Sequence, residues 1–277
     1  MQRIDSHQHF WYYHPKKDSW MTQEMTAIRR DFMPDDLYAA VQGLGIDGCV
    51  TVQVAQTDAE TEFLLELAAV NGFIKGVVGW VDLKADDINE RLEKLSLNRK
   101  LKGFRHILQS EPDDRHMLHP DFKRGIKALR QHGFTYDVLI YPKHLKYAIE
   151  FVNDFPEQPM VVDHLAKPLI KAGKIKEWEK DIRTIAESPN VFCKVSGMVT
   201  EADIQSWTPT GLIPYLDVVF DAFGPDRLMF GSDWPVCLIA ASYRQWAELL
   251  DLYTSDMLSS DQKINFWGGN AIKFYNL

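Results

Sequence analysis

Residues 4–10, Ile-Asp-Ser-His-Gln-His-Phe, place two histidines at the end of a short apolar run. Two later runs end in a similar way: residues 160–164 read Met-Val-Val-Asp-His, and residues 228–233 read Leu-Met-Phe-Gly-Ser-Asp. Short apolar runs of this kind are typical of buried parallel strands. Because side chains two residues apart on a strand point the same way, His7 and His9 can share one face. The sequence therefore predicts polar side chains at the carboxyl ends of parallel strands.

The same alternation of apolar runs and helical patterns continues along the whole chain. We predict strands at residues 3–9, 46–54, 73–81, 101–107, 134–140, 159–164, 190–196 and 227–232. Helical patterns follow at about 35–44, 57–71, 86–97, 120–132, 143–153, 175–187, 211–223 and 240–253, and a last helix covers about 260–275. Eight strand–helix units predict an α/β fold of the (β/α)8 barrel type with an extra C-terminal helix. An open doubly wound sheet is the structural alternative.

Length and composition limit the class of protein. A chain of 277 residues fits a single barrel domain over 1–277. The formal net charge is −8 and no basic run is present, which argues against nucleic acid and anionic membranes as partners. No apolar run is long enough to span a bilayer, and no signal segment precedes the first strand. Three cysteines suggest no disulfide framework and favour the cytoplasm, while a homo-oligomer stays open.

Two loops are expected at the carboxyl-end face of such a barrel. Residues 10–34 are rich in aromatic side chains, among them Trp11 and Trp20, and show no clear helix. A long loop after the first strand would form a lid or a stacking surface for a ring at the mouth of the barrel. The alternative is a loop packed on its own aromatic side chains. Residues 108–119 form a second, polar loop on the same face.

The candidate chemistry depends on His7, His9, His164 and Asp233 together. A lone His-x-His pair arises by chance, a single buried histidine is more often structural, and a lone aspartate could cap a helix. In a barrel, however, all four side chains would face the mouth, where enzymes of this fold act. Three imidazoles and a carboxylate could bind one divalent metal ion, with zinc the best match, or activate a water molecule. The remaining histidines are interpreted as solvated or structural, with His106 the least certain.

Several of these segments resemble the amidohydrolase superfamily, and more narrowly its sugar lactonase branch. The resemblance rests on the strand-one motif at 4–10, on residues 162–168 (Val-Asp-His-Leu-Ala-Lys-Pro), on residues 191–197 (Val-Phe-Cys-Lys-Val-Ser-Gly) and on residues 231–235 (Gly-Ser-Asp-Trp-Pro). That branch includes hydrolases of L-fuconolactone and L-rhamnonolactone and the pyrone-dicarboxylate lactonase. The resemblance covers nearly the whole chain and implies a distorted (β/α)8 barrel that hydrolyses a lactone at its carboxyl-end face.

The resemblance also implies roles for individual residues. Asp233 would activate the attacking water, and His7, His9 and His164 would bind a divalent metal or hydrogen-bond the lactone, since members of the branch differ in their need for metal. Other amidohydrolases bridge two metals with a modified lysine on a middle strand. Here Lys102 lies at the start of its strand, so a two-metal site is not expected.

Further substrate contacts are assigned to side chains near the strand ends. Lys194 looks like the cationic contact of the family, although its stem could instead cross the barrel edge to solvent. Arg105 is expected to donate to the lactone carbonyl or to sugar oxygens, or else to form an internal ion pair with Asp137 or Asp163. The remaining candidates would bind hydroxyls or stack on the sugar ring: Gln53, Gln56, Trp11 and Trp234. Trp234 could instead pack beneath the site.

Three functions follow from these expectations. The first is a hydrolase that opens a sugar-acid lactone of the L-fuconolactone or L-rhamnonolactone type, with Asp233 as base and with His164 and Arg105 assisting. The second is a metal-dependent decarboxylase of the same superfamily, and the third is a non-catalytic sugar-acid binding protein. No Gly-x-Ser-x-Gly element supports a covalent serine mechanism.

Overall fold

Eight parallel strands form a single sheet whose order follows the chain, from β1 to β8. The computed structural model describes residues 2–277. The strands are β1 Ile4–Gln8, β2 Gly48–Val52, β3 Ile74–Gly79, β4 Leu101–His106, β5 Thr135–Val138, β6 Met160–Val162, β7 Val191–Val195 and β8 Leu228–Phe230. Each lies inside its predicted range. The predicted α/β barrel is therefore confirmed.

The first and last strands meet just beyond their carboxyl ends. Gln8 forms an isolated parallel bridge with Trp234, and the amide of Asp233 donates to the carbonyl of His7 at 2.8 Å. Asp5 strengthens this seam, because its carboxylate accepts from the amide of Ser232 at 2.9 Å and from its hydroxyl at 2.6 Å. The seam brings the histidines of β1 next to the segment that carries Asp233.

Helices follow the strands around the outside of the barrel. They are α1 Pro34–Val41, α2 Asp58–Val70, α3 Ile88–Ser96, α4 Pro120–Gln131, α5 Leu145–Asp154, α6 Lys176–Ala186, α7 Met198–Glu201, α8 Pro209–Phe223, α9 Tyr243–Ser255, α10 Ser260–Ile264 and α11 Asn270–Tyr275. The short helix α7 was not predicted, since four residues are too few to show a helical period. Among residues 2–277, no helix combines the length and apolar character that a bilayer crossing requires.

The predicted last helix, 260–275, is interrupted between α10 and α11. Residues Asn265–Gly269 form a π-helical turn. A Cβ atom on Gly268 would lie 2.1 Å from the carbonyl oxygen of Gln2, so only glycine permits this close approach. The interruption directs α11 across the amino-terminal end of the barrel, where Phe274 and Tyr275 pack on side chains of the strands. The extra C-terminal helix thus closes the end opposite the mouth.

The chain leaves β6 through an unusual turn. Strand six was expected to reach residue 164, but it ends at Val162, and four successive residues, His164 to Lys167, have positive φ angles of 54°, 55°, 56° and 52°. Left-handed backbone costs roughly 1–2 kcal/mol for each residue that carries a Cβ. Such strain persists only where the surrounding structure enforces it, and it is concentrated at functional sites.

Candidate active site

Three imidazole rings converge on one carboxylate oxygen at the mouth of the barrel. The Nε2 atoms of His9, His164 and His7 lie 3.3, 3.8 and 3.9 Å from Oδ1 of Asp233. All four side chains are buried. The structure therefore brings together the four residues that the sequence singled out, from β1, from the turn after β6 and from the segment after β8.

Contacts outside the cluster fix the orientation of each ring. The Nδ1 atoms lie 2.7 Å from the carbonyl oxygen of Val52 (His9), 2.8 Å from Oγ of Ser196 (His164) and 3.2 Å from Oδ1 of Asp163 (His7). A Cβ atom on Gly197 would lie 2.6 Å from Nδ1 of His164, so glycine is needed beside this ring. When Nδ1 of His9 donates to the Val52 carbonyl and Nδ1 of His164 donates to the Ser196 hydroxyl, their Nε2 atoms present lone pairs to Asp233, as metal-binding histidines commonly do. Nδ1 of His7 also lies 3.2 Å from the ammonium of Lys194, which can only donate.

This donor set fits a divalent cation. Lone pairs and a carboxylate oxygen that face one another repel unless positive charge lies among them. Metal–ligand bonds of about 2.0–2.1 Å in a tetrahedral zinc site place neighbouring ligand atoms about 3.3 Å apart. The separations of 3.3 to 3.9 Å from Asp233 are close to that spacing. The cluster could thus hold one metal ion, and His7, His9 and Asp233 together meet the distance requirement.

Burial and mutual contact set the charge states of these groups. Burial lowers the pKa of His164 to about 4 and holds the pKa of His7 well below its ordinary value. Burial alone would raise the pKa of Asp233, but the neighbouring imidazoles outweigh it and hold that pKa below its usual range. At neutral pH the structure therefore presents neutral His7 and His164 beside an ionised Asp233.

Arg105 connects this cluster to charged groups deeper in the barrel. Its Nη1 lies 3.2 Å from Nε2 of His7 and donates to Oδ2 of Asp163 at 3.0 Å. The ion pair with Asp163, one of the two predicted alternatives, is present. Arg105 also lines the mouth of the barrel, so it can still reach a substrate.

Lys194 lies below the site, and its predicted contact with substrate has no support in the structure. Its side chain has no exposed surface and is not part of the pocket wall. The ammonium pairs with Asp137 and lies 3.1 Å from Oδ1 of Asp163. The hydroxyl of Tyr275 in α11 donates to Asp137 at 2.9 Å. A buried polar network therefore runs from the C-terminal helix to the histidine cluster at the mouth.

The predicted hydroxyl-binding and stacking residues also lie outside the pocket. Trp234 packs edge-on against Phe32 beneath the site, and Trp11 donates its indole N–H to the carbonyl of Arg30. Gln53 is fully buried and donates to the carbonyl of Arg105. The interpretation of a loop packed on its own aromatic side chains holds for Trp11, whereas Trp20 of the same loop does line the pocket.

The pocket itself has a volume of about 440 Å³. Its floor contains His9, Arg105, His164 and Asp233. Its wall includes Trp20, Gln109 and Ser110 from the two loops expected at this face. It also includes side chains that sequence analysis did not assign to the site: Tyr141, Lys167, Thr200 and Glu201. Lys167 belongs to the 162–168 segment and could have been considered, but Glu201 lies in the unpredicted helix α7.

A second group of potential ligands, His106, Glu111 and His116, lies beside β4. Hydrogen bonding explains this group without a metal. The indole N–H of Trp80 donates to Nδ1 of His106, so Nε2 of this ring carries the proton that it donates to Glu111 at 2.7 Å. A metal at Nε2 would move that proton to Nδ1, where it would face the donor of Trp80. The structural interpretation of His106 agrees with this arrangement.

Comparison with known proteins gives a consistent result. The Amidohydrolase family model matches residues 4–277. An L-fucono-1,5-lactonase of Burkholderia multivorans is 39% identical, with 99% of this chain and 96% of the relative covered. An L-fucono-1,5-lactonase of Burkholderia ambifaria is 36% identical over the same shares of the two chains. A crystal structure of an amidohydrolase from Burkholderia multivorans with bound zinc superposes over 100% of both chains with a TM-score of 0.97 and 39% identity. This chain therefore belongs to the amidohydrolase family.

Proposed function

We propose that this chain hydrolyses the ring ester of a neutral sugar-acid lactone, of the L-fuconolactone or L-rhamnonolactone type, in carbohydrate metabolism. The observation that carries the proposal is the convergence of three imidazoles on Asp233 at the floor of a pocket of about 440 Å³. Pockets of about 300–1,000 Å³ are typical of small-molecule sites. The two L-fucono-1,5-lactonases, each aligned over nearly its full length, support the same reaction class.

In this mechanism Asp233 accepts the proton of the attacking water. Its carboxylate is ionised at neutral pH and fixed by the surrounding imidazoles, which places an acceptor beside any water at the pocket floor. When bound by His7, His9, His164 and Asp233, a divalent ion supplies Lewis acidity, which acidifies a nearby water and polarises the lactone carbonyl. Asp233 then returns the proton to the ring oxygen as the ester bond breaks.

Arg105 stabilises the negative charge that develops on the carbonyl oxygen. It lines the pocket, and its Nε–H has no hydrogen-bond partner among the described residues. Donors aimed at a developing oxyanion in a buried site contribute strongly to catalysis. Where no ion is bound, Nε2 of the neutral His164 ring, which Ser196 fixes, can hydrogen-bond the substrate beside Asp233.

Measurement of kcat/KM across a panel of lactones tests the proposal. L-Fucono- and L-rhamnono-lactones should be hydrolysed faster than pyrone dicarboxylates. Acid release without loss of carbon dioxide, followed in a pH-stat, separates this activity from that of a decarboxylase. Absence of turnover on every aldonolactone, or a clear preference for the dicarboxylate, would contradict the proposal.

We also propose one divalent metal ion per chain, with zinc as the best match for three imidazoles and a carboxylate. Metal analysis of the purified protein should find at most one ion, and two ions per chain would contradict the single site. Assays with and without a chelator decide whether turnover needs the ion, since Arg105 already supplies positive charge 3.2 Å from His7.

Domain organisation, cellular compartment, partners and oligomeric state are also proposals. The single sheet of eight strands supports one domain over 1–277. The three free, buried cysteines are compatible with a reducing cytoplasm. The net charge of −8 favours a small-molecule substrate over nucleic acid. Sedimentation would test whether the protein forms a homo-oligomer.

A further inference from the structure

Two charged side chains of the pocket wall have no part in the mechanism described above. Lys167 ends the left-handed turn that follows His164, and Glu201 is the last residue of α7. Nζ of Lys167 lies 3.7 Å from Oε1 of Glu201. Their side chains are only 18% and 21% exposed. Both therefore face the pocket rather than bulk solvent.

The pair lies next to the catalytic groups. The amide of Lys167 donates to the carbonyl of His164 at 2.7 Å, and its ammonium lies 5.5 Å from the centre of the Tyr141 ring. Burial raises the pKa of Glu201, and the nearby charge of Asp233 raises it further, whereas Lys167 opposes both effects. Asp233, Lys167 and Glu201 all line the same pocket, so a substrate that reaches Asp233 is also beside this pair.

The separation of Lys167 and Glu201 leaves their hydrogen-bonding capacity free. A distance of 3.7 Å is longer than a hydrogen bond, so the two groups attract each other without saturating each other. An ammonium has three donors, and a carboxylate has about four acceptor sites. Neighbouring hydroxyls on a ring match this arrangement, because one can donate to Glu201 while the next accepts from Lys167.

The four charged side chains that line the pocket balance one another before a metal ion is counted. Arg105 and Lys167 are positive, and Glu201 and Asp233 are negative. Arg105 is in addition committed to Asp163 at 3.0 Å. A substrate that placed a carboxylate of its own beside Glu201 would meet like charge there, and Lys167 already offsets the charge of Glu201. Like charges at short range inside a pocket disfavour binding strongly.

We propose that Lys167 and Glu201 together recognise the ring hydroxyls of the lactone, and that Glu201 excludes lactones that carry a carboxylate. This inference rests on the proposed lactonase function. It assigns selection between neutral and acidic lactones to one residue outside the catalytic cluster.

The test compares Glu201→Gln and Lys167→Met with the wild type on two sugar lactones. One is neutral L-fuconolactone, and the other is an aldarolactone, which has a carboxylate at the far end of the sugar. Glu201→Gln should reduce the preference for the neutral lactone by about 10- to 100-fold. Lys167→Met should increase that preference, because the cation is lost and Glu201 remains. Opposite shifts are expected only if the two charges face the substrate.

A neighbouring surface pair provides matched controls. Lys171 and Asp203 lie 3.3 Å apart, are well exposed and do not line the pocket. Lys171→Met and Asp203→Asn should leave the preference unchanged. Circular dichroism and thermal unfolding should show that Glu201→Gln, which keeps the shape of the side chain, folds as the wild type does.

A binding measurement separates this inference from the proposed function. Trp20 lines the pocket, so its fluorescence should report the dissociation constants of both lactones even without turnover. Wild-type enzyme that turns over no lactone would contradict the proposed function alone. A ratio of the two dissociation constants that is the same in wild type and Glu201→Gln would overturn the inference, whatever the turnover.

Discussion

Replacing Lys194 with methionine should destabilise the barrel rather than weaken substrate binding. The ammonium of Lys194 is fully buried, pairs with Asp137 and lies 3.1 Å from Asp163. Its removal leaves Asp137 with Tyr275, and Asp163 with Arg105 and His7, as their remaining side-chain partners among residues 2–277. Removing one partner of a buried ion pair typically costs about 3–5 kcal/mol. At about 2–4 °C per kcal/mol for a chain of this size, Tm should fall by roughly 6–20 °C.

Thermal and urea unfolding, followed by circular dichroism, measure this effect. Lys194→Met combined with Asp137→Asn should regain part of the loss, because the second change removes one of the unpaired charges. Lys171→Met, at an exposed position, should change stability by no more than about 0.5 kcal/mol.

The loss of stability in Lys194→Met should depend on pH with a definite sign. Burial already raises the pKa of Asp137 to about 6 with Lys194 in place, and loss of the ammonium should raise it further. Such a group contributes stability at low pH that is lost as pH rises through the folded-state pKa. The deficit of Lys194→Met relative to the wild type should therefore be smaller at pH 5 than at pH 8. An unchanged Tm together with a raised KM would refute this reasoning and indicate that Lys194 contacts the substrate.

Three further outcomes are expected. Asp233→Asn should lower kcat by about 10²–10⁴-fold with an unchanged circular dichroism spectrum, and near-normal turnover would remove Asp233 from the role of base. Because burial lowers the pKa of His164 to about 4, kcat/KM should show no break near pH 6.5. The free energy of unfolding should fall as pH drops from about 6.5 towards 4, because in this range the unfolded chain binds a proton at His164 and the folded chain does not. A break in kcat/KM near pH 6.5 would contradict this and indicate that His164 is in contact with solvent. Tyr275→Phe removes the hydroxyl that donates to Asp137 and should lower the free energy of unfolding by about 1–3 kcal/mol. The urea midpoint should fall accordingly, and an unchanged midpoint would show that the buried network does not need this hydroxyl.

Sequence patterns predicted the strands well because parallel strands buried on both faces are continuous apolar runs. The positions of His7 and His9 followed directly from β1, since the period of a strand fixes which side chains share a face. The left-handed turn at His164 could not be predicted, because no residue from 164 to 167 is a glycine or asparagine. Packing around the turn, rather than local preference, enforces it.

Lys194 and Lys167 show a second limit of prediction from the sequence. Lys194 and Lys167 both belong to segments that resemble the lactonase branch, and the sequence favoured Lys194 as the substrate contact. Which ammonium faces the pocket depends on its partners, Asp137 and Asp163 for Lys194 and Glu201 for Lys167. Those partners lie on other strands or on a helix too short to predict. Trp234 packs beneath the site, the second of its two predicted alternatives, and the sequence could not choose between them because its surroundings come from the loop after β1.

The seam between β1 and the segment after β8 has a consequence during protein synthesis. His9 and Asp233 meet across 224 positions of the chain. At about 5–20 residues per second, a ribosome needs roughly 10–45 s to make the chain between them. Throughout that time β1 has a neighbour on one side only, and its histidines cannot yet contact Asp233. The barrel therefore cannot close progressively from its first strand, and its catalytic centre forms only after the eighth strand leaves the ribosome.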